Sequence, residues 1–322
     1  MSGLKKVVLG SRGSKLACAQ TQLVERALRT EYPQLEIETK IIRTSGDVRC
    51  AIVENAKAKG SQAGSMSHGR KGLFTREIER ALELGAIDVA VHSAKDLPSE
   101  ATPGLEVRGA LPRGSMDDVL ITKCSGGWKA LPARATVGTG SVRRDYQLRS
   151  HRGDLVIAGL RGNVSTRLRK LAEQDWDAIV LARAGLERLG FDLSRGEILF
   201  ESARFYIEAL PVDNFVPAGG QGIIALQVRR DGGGTRGLVD AINHGETLLC
   251  LRAEREFLRL LQGDCDSPVG VFARITGSEM EMRAQLFEPP SLMARTALVE
   301  RPLAGINPEQ LAADLMDRMH GG

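Results

Sequence analysis

The residues of this chain best suited to chemistry lie in the run Asp88-Val89-Ala90-Val91-His92-Ser93-Ala94-Lys95-Asp96-Leu97-Pro98. Its small and β-branched residues suit a strand buried on both faces. Pro98 ends that strand and holds Leu97 extended. An ammonium and a carboxylate, Lys95 and Asp96, are thereby delivered side by side where an open α/β sheet presents its chemistry. The alternative for this stretch alone is a solvated loop with an incidental ion pair. A second pattern concerns arginine. Arg12 and Ser14 follow a short apolar run, as do Thr139, Ser141, Arg143 and Arg144, then Arg161 and Arg167, then Gly185 and Arg188. Each set opens a helical pattern, where free backbone N–H groups and a guanidinium together bind anions. One such junction is a plain N-cap with a surface arginine; four point to a convergent anion-binding cleft. A third feature is Cys265, an exposed-looking thiol among Gly263, Asp264, Asp266, Ser267 and Pro268. The neighbouring aspartates would raise its pKa, so its use as a covalent anchor needs activation from elsewhere.

The elements that must position these residues are legible in outline. Strands are expected at 5–9, 35–42 and 105–111 and in the run that opens at Asp88, with helices running to about Leu28 and over 72–84. The segment 54–70 has no periodicity and reads as a mobile loop, either a lid or a spacer. Further strands are expected at 118–122, 135–138, 154–158 and 177–182, while 191–215 reads as irregular. The turn Pro217-Ala218-Gly219-Gly220-Gln221-Gly222 precedes a strand at 223–229 that is expected to return to the first lobe. Helices at 235–244 and 246–262, strands at 269–276 and 280–287, and a last helix from Asn307 complete the chain. The expected fold is α/β: two hinged periplasmic-binding-protein-like lobes plus a small α+β C-terminal domain. The first lobe takes residues 1–111, completed by about 217–240; the second takes 112–216; the C-terminal domain takes 245–322.

Composition narrows the class. With 322 residues, 42% hydrophobic and 26% charged, the chain is long and apolar enough for several real cores. Aromatic content of 4% argues against a base-stacking surface, and the net charge of +4 is spread without a dense basic block. Nucleic acid is therefore not the expected partner. The five cysteines include no C-x-x-C, and with five scattered histidines they give no metal-site spacing. A reducing compartment is expected. Lys5 and Lys6 precede only Val7-Val8-Leu9, too short for a signal-peptide core, and nothing approaches a membrane span. A soluble, cytoplasmic monomer is expected.

Taken in order, the motifs resemble the porphobilinogen deaminase family. The matching pieces are Arg12-x-Ser14-x-Leu16-Ala17, Lys71-Gly72-Leu73-Phe74 and Val91-His92-Ser93-Ala94-Lys95-Asp96-Leu97-Pro98. They continue with Val137-Gly138-Thr139-x-Ser141-x-Arg143-Arg144, Leu160-Arg161-Gly162-Asn163-Val164-x-Thr166-Arg167-Leu168 and Ala184-Gly185-Leu186-x-Arg188-Leu189-Gly190. Pro217-Ala218-x-Gly220-Gln221-Gly222 and Gly263-x-Cys265-x-x-Pro268-Val269-Gly270 close the series.

The resemblance implies a three-domain enzyme carrying a dipyrromethane cofactor in thioether linkage to Cys265. It implies a transferase that adds four porphobilinogen molecules head to tail with loss of ammonia, then releases hydroxymethylbilane with water. Asp96 is the implied catalytic carboxylate. It would stabilise positive charge on the pyrrole nitrogens of an electron-poor azafulvene and shuttle protons. Arg12, Ser14, Lys71, Lys95, Thr139, Ser141, Arg143, Arg144, Arg161, Arg167, Gly185, Arg188 and Gln221 are the implied partners of cofactor and substrate. Carboxylates accumulate as the product grows, which suits such a donor set. The sequence departs from the family in a longer segment before Lys71, with Gly69-Arg70-Lys71 for the usual Gly-Gly-Lys. It also has Gly140 where a serine is usual, and a long 191–215. The competing reading is a two-lobe protein that binds a small carboxylate without chemistry.

Overall fold

A computed structural model of the chain describes residues 4–44, 75–262 and 268–321. The expectations for 54–70, Lys71 and Cys265 fall outside the described residues. In chain order the strands of the first half are β1 (Lys6–Arg12), β2 (Glu36–Ile42), β3 (Val89–Ser93), β4 (Leu105–Ala110), β5 (Asp118–Thr122), β6 (Thr136–Thr139) and β7 (Val156–Gly159). The remaining strands are β8 (Ala178–Ala182), β9 (Glu197–Phe200), β10 (Ala203–Leu210), β11 (Ile224–Arg229), β12 (Val269–Thr276), β13 (Glu279–Phe287) and β14 (Ala294–Pro302). The principal helices are α1 (Lys15–Glu31), α2 (Arg76–Glu83), α3 (Val142–His151), α4 (Val164–Glu173), α5 (Arg183–Arg188), α6 (Gly233–Ala241), α7 (Gly245–Leu260) and α8 (Pro308–His320). The chain divides into two compact units, Met1–Arg113 with Ile223–Leu251 and Gly114–Gly222 with Arg252–Gly322.

In the first unit the sheet order is β2-β1-β3-β11-β4, with β1, β2 and β3 parallel and β11 antiparallel to both its neighbours. Alternation along the strands explains why both faces are covered. Val89 and Val91 join the core formed with Val24 and Leu28 of α1 and Leu238 of α6. Ala90, between them, meets Ile78 and Leu82 of α2 on the other face. α1 buries Ala17, Gln20, Thr21, Val24 and Leu28, a stripe at helical spacing.

The second unit repeats that plan. Its main sheet runs β7-β6-β8-β5-β10-β9, with β6, β7 and β8 parallel, and β5 antiparallel to β8 and β10. In each lobe a parallel trio in the order second-first-third is extended by an antiparallel strand. For the first lobe that strand is β11 and for the second it is β5. The same unit holds the small domain, a β12-β13-β14 meander packed against α8. Asn307 caps α8 through its side-chain oxygen, which accepts from the N–H groups of Glu309 and Gln310.

Two expectations are corrected. Residues 191–215 are not irregular: they contain the β9–β10 hairpin, turning at Glu201 with φ 54°. The strand β14 was not foreseen either. Both lie at or near sheet edges and carry charges such as Arg204, Glu208, Arg295 and Arg301, and β14 buries only Val299. Such edge strands lack the apolar alternation that marks a strand in sequence.

Candidate active site

The first lobe builds its site from two adjacent strand ends. β3 is buried through His92, and its chain then tightens into a single 3₁₀ turn, Ala94–Asp96. Buried Ala94 and Leu97 anchor the turn from below, and the Leu97 N–H donates to the Ala94 carbonyl at 3.1 Å. Lys95 and Asp96 are left half-buried between these anchors. β1 is the parallel neighbour of β3, so Arg12, its last residue, emerges at the same end. Its guanidinium lies 3.7 Å from Asp96 Oδ2, with the two side chains 23% and 36% exposed. Ser14 then starts α1, its Oγ accepting from the Ala17 N–H at 3.2 Å.

Behind this pair sits a polar layer that sequence reasoning missed. Gln20 of α1 is buried, and its amide bonds the Ser93 hydroxyl at 2.9 and 3.0 Å. Ser93 occupies the N-cap position of the Asp96 turn without capping it. A second chain of side chains runs from His92 to Gln227 (3.0 Å) and on to Glu79 of α2 (2.8 Å). The Gln227 amide nitrogen donates to Glu79, so its oxygen accepts from His92, which fixes the proton on Nε2.

In the second lobe the residues of interest again follow strand ends. Thr139 closes β6 and its Oγ1 accepts from the Ser141 N–H at 3.2 Å; Ser141 caps α3. Arg143 and Arg144 turn inward and are nearly fully buried on Asp118. Arg143 donates to Oδ2 at 2.7 Å and Arg144 to Oδ1 at 2.6 Å. Gln221 adds a third donor to Oδ1 at 2.9 Å and also reaches the Met116 carbonyl. Burial works to raise the Asp118 pKa, but Arg143 and Arg144 outweigh it and hold the carboxyl well below the usual carboxylate range. Arg188 donates to the Gly222 carbonyl at 2.6 Å, and burial lowers its pKa. Gly185 lies in the same short helix, α5. Arg167 folds back onto the Gly162 carbonyl at 2.7 Å, and Arg161 is exposed.

The turn holding Gln221 is fastened from the small domain. Glu254 of α7 is completely buried, accepting from the Gly220 N–H at 2.6 Å and the Ala273 N–H at 2.8 Å. Neither Asp118 nor Glu254 was singled out from sequence. The available signal was a carboxylate inside an otherwise apolar strand or helix face, which is costly unless satisfied.

These donors can hold a ligand rich in carboxylates. In the Arg143–Arg144–Asp118 cluster two guanidiniums face one carboxylate, and the Nε atoms of both arginines are buried without a hydrogen-bond partner among the described residues. Surplus positive charge and unfilled N–H donors fit a group bearing acetate and propionate arms, as dipyrromethane does.

Residues 7–236 match the family model "Porphobilinogen deaminase, dipyromethane cofactor binding domain", and residues 248–320 match "Porphobilinogen deaminase, C-terminal domain". The chain is 41% identical over 280 residues to the porphobilinogen deaminase of Syntrophomonas wolfei, covering 87% of this chain and 84% of that one. It is 37% identical over 308 residues to that of Listeria monocytogenes, covering 95% and 92%. Among solved structures, the methionine-binding protein MetQ aligns with a TM-score of 0.44 and 10% identity over 76% of this chain and 92% of that one. No described helix is long and apolar enough to cross a membrane. Two family models in order along the chain, with relatives above 35% identity over most of its length, place it: the chain belongs to the porphobilinogen deaminase family.

Proposed function

We propose that the chain is a hydroxymethylbilane synthase that joins four porphobilinogen molecules head to tail, with loss of ammonia at each addition. The linear tetrapyrrole is then released with water. Cys265 is the residue that would hold dipyrromethane, by a thioether. When bound, that group supplies the pyrrole carbon from which growth starts. The other residues act on charge and position. Asp96 stands at the mouth of a buried strand with part of its carboxylate open to a ligand. There it balances positive charge on pyrrole nitrogens and carries protons to and from them. Arg12, Lys95 and the free N–H groups at the start of α1, behind Ser14, bind substrate carboxylates. In the second lobe Thr139, Ser141, Arg143, Arg144, Arg161, Arg167, Gly185, Arg188 and Gln221 serve the same purpose, and Lys71 joins them from before α2.

The observation that carries this reading is the Arg12–Asp96 pair at 3.7 Å, half-exposed at the ends of neighbouring parallel strands. A cation for the substrate's carboxylates and an anion for its ring nitrogens sit side by side. Asp96→Asn is expected to keep the circular dichroism of the parent and to lower kcat by about 10²–10⁴, the range for a lost general acid–base group. Turnover of porphobilinogen near the parent rate would remove Asp96 from the mechanism. The proposal extends to a cytoplasmic monomer and to three domains, at 1–111 completed by about 217–240, at 112–216, and at 245–322.

A further inference from the structure

We propose that Asp118 is the positioning residue of the second lobe's anion site, the single buried group that sets where Arg143 and Arg144 place their charge. The inference rests on the reading of the chain as a hydroxymethylbilane synthase. Consecutive residues of an α-helix point about 100° apart, so two adjacent arginines at the start of α3 would ordinarily diverge. Here they converge, because each donates to a different oxygen of one carboxylate that is wholly shielded from solvent. The far ends of both guanidiniums are then fixed on main-chain carbonyls. Arg143 reaches Val216 at 2.8 Å and Arg144 reaches Val180 at 2.9 Å. Long arginine side chains lose their rotamer freedom in such a clamp before any ligand arrives.

Location separates this clamp from ordinary core packing. Asp118 is the first residue of β5 and pairs in register with Ala182, the last residue of β8. β8 is one of the parallel strands, so the carboxylate lies level with their C-terminal ends, where α/β sheets hold ligands. The same edge carries Thr139 at the end of β6 and the start of α5, with Gly185 and Arg188. Asp118 also holds Gln221, so three residues that the family resemblance assigns to ligand binding depend on one carboxylate. That carboxylate neutralises only one of the two guanidinium charges.

Two variants test the role. Asp118→Asn keeps the shape and removes the charge, whereas Asp118→Glu keeps the charge and displaces it by one methylene. For each, Tm is measured, and the mass of the denatured protein gives the fraction carrying two linked pyrroles. Steady-state kcat and KM for porphobilinogen are then expressed per loaded molecule, well below Tm. Both variants are expected to load poorly and to lose about 100-fold in kcat per loaded molecule, the scale of an ångström misplacement. A lowered Tm with loading and kcat within about twofold of the parent overturns the proposal, since a purely structural residue behaves so. Should neither variant fold, Gln221→Met removes the neutral amide donor that Asp118 shares with the Met116 carbonyl. It is expected to lower kcat per loaded molecule about 10-fold or more, the low end of what one bond to a charged group is worth, and an unchanged kcat there overturns the proposal equally. Failure of the functional reading looks different. It shows as a parent protein with no linked pyrroles and no porphobilinogen consumption, and it takes this inference with it.

Discussion

Two ion pairs in this protein have the same components and opposite uses. Arg12 and Asp96 stand 3.7 Å apart with their side chains 23% and 36% exposed, so water screens them and their attraction adds under about 1 kcal/mol to stability. Arg12→Ala is therefore expected to leave Tm nearly unchanged. It should lower kcat/KM by roughly 10- to 150-fold, the loss of one charged hydrogen bond to substrate of about 1.5–3 kcal/mol. Thermal melts and steady-state kinetics on the same preparation check both halves. Asp118 is the reverse case, because removing its charge strands two buried guanidiniums. Its folded pKa is depressed below the unfolded value of 3.8. The stability it contributes is accordingly present in full above about pH 4 and is lost as pH falls towards the folded value. Denaturation at pH 2–7 is expected to show stability falling below pH 4 in the parent, with a shallower fall in Asp118→Asn. Equal slopes in the two proteins would show that other carboxylates govern the acid limb.

At the scale of elements, the chain's helix starts were readable because they rest on local chemistry. Ser14, Ser141 and Asn307 are all caps whose side-chain oxygens accept from the first helical turn, and each sits where a polar residue precedes a helical pattern. The β9–β10 hairpin and β14 were not readable, since charged edge strands mimic loops. Asp118 and Glu254 were not readable as hubs, because nothing local tells which distant N–H groups a buried carboxylate will meet. Gly140 joins the two scales. A Cβ there would lie 2.4 Å from the Leu160 carbonyl oxygen, so the serine usual in the family does not fit this backbone. Gly140→Ser is expected to destabilise the protein by about 1–3 kcal/mol, as overpacking does. A denaturant midpoint equal to that of the parent would contradict this. Gly222 is constrained twice over: its φ is 83°, and a Cβ would lie 2.6 Å from the Gly114 carbonyl oxygen.

At the scale of the molecule, one topology is used twice. The antiparallel strand of the first sheet, β11, returns from beyond the second lobe, so the first lobe is assembled from two separate stretches of chain, whereas β5 directly precedes the strands it completes. The α/β class and the doubled lobe were accessible from periodicity and motif order, whereas strand registers and the polar layers behind the strand ends required coordinates. We propose that this scaffold serves a covalently primed polymerisation. The most direct test is the mass of the purified, denatured protein beside a Cys265→Ser variant. An added mass of two linked pyrrole units is expected on the parent and none on the variant. A parent that stays at its sequence mass even after incubation with porphobilinogen would contradict it.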